Sequence, residues 1–194
     1  MPASNRIKNQ HLLWRSAFGP MAENAASLDS MSPKDLWQLL VKTSSKPVDK
    51  LEVTKNPADE YMTGNDDPRE MQKAMSNPDL RRRLREQSRD DLKTLNIRWL
   101  ETMVNSEAQL REKMSLFWHG HFACRLPNSF FQQELLHIVR TNALGNFGDM
   151  LKAVSKSPAM LQFLNNQQNR KSHPNENFAR EVMELFTMGR GNYT

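Results

Sequence analysis

Residues 169–181, "NRKSHPNENFARE", hold three asparagines, two arginines, two glutamates and a histidine around one proline. Capping one helix takes one side-chain oxygen. The surplus is therefore a candidate polar binding surface, with Arg170, His173, Asn175, Glu176 and Asn177 as ligand-holding groups. Arg180 and Glu181 add a cation and a proton acceptor. A second concentration lies in "SLFWHGHFACR", residues 115–125, where His119 and His121 flank Gly120. Imidazole and carboxylate together form an N/O donor set that zinc or iron accepts. A composite site of His119, His121, His173 and Glu176 or Glu181 would support metal-assisted hydrolysis, with His119, His121, Arg180 and Glu181 as catalytic candidates.

Spacing weakens the metal reading. On a regular helix, residues two apart point about 200° away from each other, so the two histidines converge only where Gly120 breaks the helix. Within residues 115–125 neither H-x-x-x-H nor E-x-x-H, the usual helical metal spacings, occurs. The alternatives are histidines that cap helices and bond buried carbonyls, or acid–base groups used without metal. His11 and His137 read as structural or surface histidines. Cys124 is the one cysteine, so an intramolecular disulfide is excluded, and the default reading is a buried, inert thiol.

The elements that must position these groups are helical. Alternating runs rich in Val, Ile and Thr are absent, and apolar residues recur at helical spacing. Leu12, Leu13, Trp14 and Phe18 predict a short helix stopped at Gly19 and Pro20. Ser32 and Pro33 predict an N-cap and first helical position, with Leu36, Trp37, Leu40 and Val41 inward. From Ser44 to Asn77, three prolines and an Asn65-Asp66-Asp67 cluster break any long element; one short helix is expected near Arg69 to Met75. Asn77 and Pro78 open a long helix with Leu92, Leu95, Trp99 and Met103 at helical intervals. The next helix is expected from Asn105 or Ser106, with Leu110, Met114, Phe117, Trp118 and His121 as its stripe. A further helix from Ser129 to about Ala143 turns Phe130, Leu135, Ile138 and Val139 inward. Two more divide at Ser157 and Pro158. Pro174 forbids helix before it, so Asn175 is the predicted cap of the last one. There Phe178, Val182, Leu185 and Phe186 share one face, Glu176, Arg180 and Glu184 form an i, i+4 ladder, and Gly189 closes the helix. Glu181, beside the apolar stripe, is expected to pair with Arg180.

The fold class is thus all-α: an irregular multi-helix bundle with a loop-rich insertion at residues 44–77. Residues 1–194 read as a single helical domain or as the N-terminal part of a larger one. No window approaches the roughly 18 apolar residues of a membrane span. The first 25 residues lack the apolar core of a signal peptide, so no export signal is read. Net charge is +5, and residues 81–98 hold seven basic and three acidic side chains. With no aromatic before Trp99, that run reads as a solvated or protein-facing helix face laced with i, i+4 pairs. Nucleic-acid or polyanion binding rests on charge alone and ranks third.

"FWHGHFA" (117–123), the long segment from Ala143 to Thr194 ending in the NENFARE motif and "GRGNYT", and the opening "HLLWRSAFGP" (11–20) resemble a bacterial family known as domain of unknown function 1800. The middle, residues 44–90, carries no resemblance. Gly120 stands where many members have asparagine, which removes one polar group, and Val182 where leucine is commoner. The resemblance implies no settled activity. It implies relatives that are longer, often exported, and often encoded beside a sulfatase-like protein, a candidate partner. Two functional expectations follow: a binding or assembly module with a polar His/Asn/Glu cleft, or a metal-assisted hydrolase.

Overall fold

The computed structural model describes residues 4–21, 26–56 and 76–193. The helices are α1 (Asn5–Ser16), α2 (Ser27–Ser30), α3 (Pro33–Ser44), α4 (Pro78–Asn105), α5 (Gln109–His121), α6 (Ser129–Asn142), α7 (Phe147–Ser155), α8 (Pro158–Phe163) and α9 (Glu176–Phe186). Among the described residues no strand forms; one antiparallel bridge joins Arg170 to His173. The chain is all-α, as the periodicity predicts. The helix expected near Arg69 to Met75 lies outside the described residues.

Most helices begin where a local cap allows. Ser32 accepts from the Asp35 N–H with Pro33 at the first position, and Asn77 accepts from Asp79 and Leu80 ahead of Pro78. Asn128, Asn146 and Ser157 cap α6, α7 and α8 in the same way. Each side chain satisfies amides that a helix start leaves without a partner. The start of α5 differs from the expected Asn105 or Ser106. The chain first passes through an extended Ser106 and an uncapped Ala108, and Gln109 is buried, donating to the Met103 and Ser106 carbonyls. The bonding of one buried glutamine to carbonyls three and six residues back accompanies the displaced boundary.

Three apolar clusters make the interior. Leu13, Leu28, Leu36, Leu40 and Leu110 join α1, α2 and α3 to the start of α5. Leu95, Trp99 and Met103 of α4 meet Leu136 of α6, with Leu51 and Val53 over them. Phe122, Leu135, Val139, Met150, Met160 and Phe186 form the largest cluster, between the end of α5 and helices α6 to α9. Helices α5 and α6 therefore tie the bundle together. Several residues expected inward point out: Trp37, Val41, Phe117 and Leu185 are exposed. Helix periodicity marks an apolar stripe, but the neighbours cover only part of it.

Residues 46–56 form no regular element. They run as a strap held by side chains from α4, α5 and α6. Arg111 donates to the Lys46 carbonyl at 2.7 Å, Arg140 to Asp49 at 2.7 Å and Arg98 to Glu52 at 2.6 Å. Gln133 accepts from the Val53 and Thr54 amides and donates to the Thr54 carbonyl. Segments lacking secondary structure must satisfy their backbone groups elsewhere, and here four side chains do so.

Candidate functional site

Helix α5 does not break at Gly120; it continues to His121. The two histidines therefore diverge, and the convergence that a shared metal would need does not occur. His119 packs edge-on against Trp99, with ring centroids 5.1 Å apart. It lines a small cleft of about 210 Å³ with Asn96, Trp99, Cys124, Arg125 and Gln132. Burial holds its pKa below the ordinary imidazole value, because a low-dielectric setting disfavours the cation. Burial also pushes the Cys124 thiol up to about 11, so at neutral pH it is a thiol and not a nucleophilic thiolate.

His121 faces another neighbourhood. Its Nε2 lies 3.0 Å from the Phe186 carbonyl, and its ring sits among Trp118, Phe122, Phe147 and Phe186. That carbonyl belongs to the last turn of α9, where acceptors lack intrahelical donors. As a donor, His121 satisfies one of them. The FWHGHF segment and the NENFARE helix do meet, but at the far end of α9, about 16 Å along the axis from Asn175. Trp118 ties α5 to the end of α6 by donating to the Ala143 carbonyl at 3.0 Å.

The amide-rich cap is internally bonded. Asn175 accepts from the Asn177 amide, donates to the Asn165 carbonyl, and its own N–H donates to Asn169 Oδ1. Asn165 adopts the left-handed region at φ 55°, which asparagine tolerates better than most residues. The surplus amides thus build the turn that leads into α9. Arg170 and His173 exchange backbone hydrogen bonds, and both are exposed, as is Glu176. Arg180 bridges Asn177, Glu181 and Glu184, and Glu181 is partly buried beside it, the pairing expected from sequence. Among the described residues no three His, Cys, Asp or Glu side chains stand together as a metal would need.

The most deeply buried polar cluster is one that periodicity did not single out. Glu112 is fully buried. Arg140 forks onto it, Nε to Oε2 at 3.0 Å and Nη2 to Oε1 at 2.9 Å. Trp99 Nε1 donates to Oε2 at 3.2 Å, and Arg111 lies 3.4 Å from Oε1. Such a carboxylate is tolerable inside a protein only with this set of donors. Both guanidiniums also hold strap carbonyls, so the cluster anchors residues 46–49. A visible signal is Arg140 itself, the one lysine or arginine in α6, directly after the apolar Ile138 and Val139. The ends of the strap offer none.

Outward, seven large apolar side chains on the described helices are more than half exposed: Ile7 59%, Trp14 63%, Ile97 56%, Leu100 58%, Val104 63%, Phe117 58% and Leu185 57%. The long helix α4 carries three of them on a side away from its buried stripe.

The motif segments, now placed at the α5–α9 junction and the α9 cap, lie within a matched family. A family model described as Protein of unknown function (DUF1800) matches residues 11–194. The chain belongs to this family. No curated protein matches it, and no solved structure does. Membership extends over the 44–90 region where residue motifs carried no resemblance, and it names no reaction. No described helix is long and apolar enough to cross a membrane.

Proposed function

We propose that this member of the family is a binding or assembly module that docks a protein partner on its outer helical surface. The observation that carries this reading is the outward apolar row Ile97, Leu100 and Val104 on α4, with Trp14 and Phe117 also exposed on α1 and α5. Asn169, Asn175 and Asn177 at the α9 start are engaged in building their own turn, which supports a positioning role for these amides rather than a catalytic one. The partner tested first is the sulfatase-like protein to which the family resemblance points.

A photo-crosslinking residue placed at Leu100 and, separately, at Phe117 in the native cell tests the proposal. The expected outcome is a discrete adduct with one protein, identified by mass spectrometry. Absence of any adduct from both positions would overturn it. The metal-assisted alternative has its own readout. Stoichiometric zinc or iron in the purified protein, lost in a His119→Ala, His121→Ala double variant, would favour a hydrolase instead.

A further inference from the structure

The cleft beside His119 lies between α4, the end of α5 and the first half of α6, and the outward apolar row plays no part in it. Leu92, Leu95, Trp99, Leu126 and Leu136 make its apolar wall, and Asn96, His119, Arg125 and Gln132 supply polar groups. Its volume of about 210 Å³ corresponds to about seven water molecules. That is below the range of drug-sized pockets and suits a compact molecule of about seven non-hydrogen atoms.

A partner is missing at His119. Its ring packs edge-on against Trp99, yet neither ring nitrogen meets a hydrogen-bond partner among the described residues, and neither is sealed from solvent. A neutral imidazole, which burial favours here, offers one N–H and one lone pair. Gln132 donates to the Cys124 carbonyl at 2.9 Å, which fixes its side chain beside the cleft. Asn96 and Arg125 are exposed at its edge. Arg125 is the one formal charge in the lining and has no ion-pair partner among the described residues.

The surroundings do not cancel that charge. Residues 122–128 contain no acidic side chain. Glu112, which accepts from Trp99 behind the wall, is held by the Arg140 fork. Asp91 accepts from the Ser129 hydroxyl and lines a separate cleft. Glu134 pairs with Lys50, and Glu101 falls about 180° from Leu92 on the helical projection of α4. The cleft therefore joins an apolar wall to one uncompensated guanidinium and an imidazole without a partner.

We propose that this cleft is a binding site for a small carboxylate with a short apolar body. The carboxylate meets Arg125, whose planar fork matches its two oxygens, and accepts from the His119 N–H. The apolar body lies against Leu92, Trp99 and Leu126, where water is displaced. Asn96 borders the same opening. A site with a few placed polar groups on an apolar wall is the usual form of a small-molecule pocket. The inference goes beyond the assembly reading and does not depend on it.

The test follows the His119 and Trp99 ring signals by NMR in the intact chain during titration with isovalerate, its neutral amide isovaleramide, and the cation isopentylammonium. Isovalerate is expected to shift both rings saturably by about 10 mM, with the amide at least about tenfold weaker and the cation without effect. Arg125→Gln should weaken isovalerate about tenfold and leave the amide unchanged, and Asn96→Phe, which fills the opening, should abolish both. Both positions are exposed, and unchanged far-UV dichroism and melting confirm the fold. No saturable shift with isovalerate, equal binding of the amide or the cation, or indifference to Arg125→Gln would overturn the proposal. So would displacement of isovalerate by an equal concentration of inorganic phosphate, which would make the apolar wall irrelevant. Crosslinking at Leu100 and Phe117 is read separately, so either result leaves the assembly reading to its own test.

Discussion

Glu112 concentrates more consequence than any other side chain. Removing its carboxylate leaves the buried guanidiniums of Arg140 and Arg111 without their common counter-charge, a change that typically destabilises by about 3–5 kcal/mol. Glu112→Ala is therefore expected to lower the urea midpoint sharply, with Glu112→Gln intermediate because it keeps the shape and an acceptor. An alanine variant as stable as the parent would show that the cluster contributes nothing net. Cys124 makes the opposite kind of prediction. With its thiol pushed up to about 11 by burial, reaction with a disulfide reagent at pH 8 should be slow in the native chain and fast in urea. Comparable rates in both would place the thiol in solvent. At this scale the sequence conveyed identities well and surroundings poorly. The pairing of Glu181 with Arg180 was legible because the partners are adjacent. The forked pair of Glu112 and Arg140 was not, since 28 positions separate them.

The strap between α3 and α4 shows what elements contribute beyond their own hydrogen bonds. Gln133 alone holds three strap backbone groups while being almost fully buried. Gln133→Leu would leave the Val53 and Thr54 amides and the Thr54 carbonyl without this partner, each a loss of about 1–3 kcal/mol if the group stays buried. Native-state hydrogen exchange should then accelerate at Val53 and Thr54 while α4 keeps its protection; unchanged exchange would mean that the strap is held elsewhere. The composition of residues 44–56 announced a lack of regular structure through proline and polar content. It could not announce that arginines from three helices would line up to receive it. Likewise the caps at Ser32, Asn77, Ser157 and Asn175 were readable because capping acts within three residues. The shifted start of α5 was not, because it goes with the burial of Gln109, which the neighbouring residues do not announce.

For the molecule as a whole, two histidines contribute to the loss of stability in mild acid. His119 is held below its ordinary value by burial. His137 is held below it by burial first, then by Lys50 and Arg140, with Glu134 opposing. A depressed folded-state pKa means that the unfolded chain takes up protons first as pH falls. The contribution of each histidine is therefore full above the unfolded value of about 6.5 and is lost as pH drops below it toward the folded value. Stability should be level near pH 8 and decline below 6.5, by at most about 1.4 kcal/mol per pH unit for each group. A His119→Gln variant should flatten that decline; urea midpoints measured across pH 5 to 8 that are parallel for variant and parent would remove His119 from the account.

What the sequence determined by itself is local: that the chain is helical, where most helices begin, and which residues recur on one face of each. These follow from interactions that span a few residues, namely caps, proline geometry and the 3.6-residue period. Tertiary structure alone decided which of two apolar faces of α4 is covered, that His119 and His121 serve different neighbourhoods, and that Glu112 lies at the centre. Those outcomes depend on which distant surfaces meet. Burial and charge pairing are properties of that meeting, and no single segment carries them.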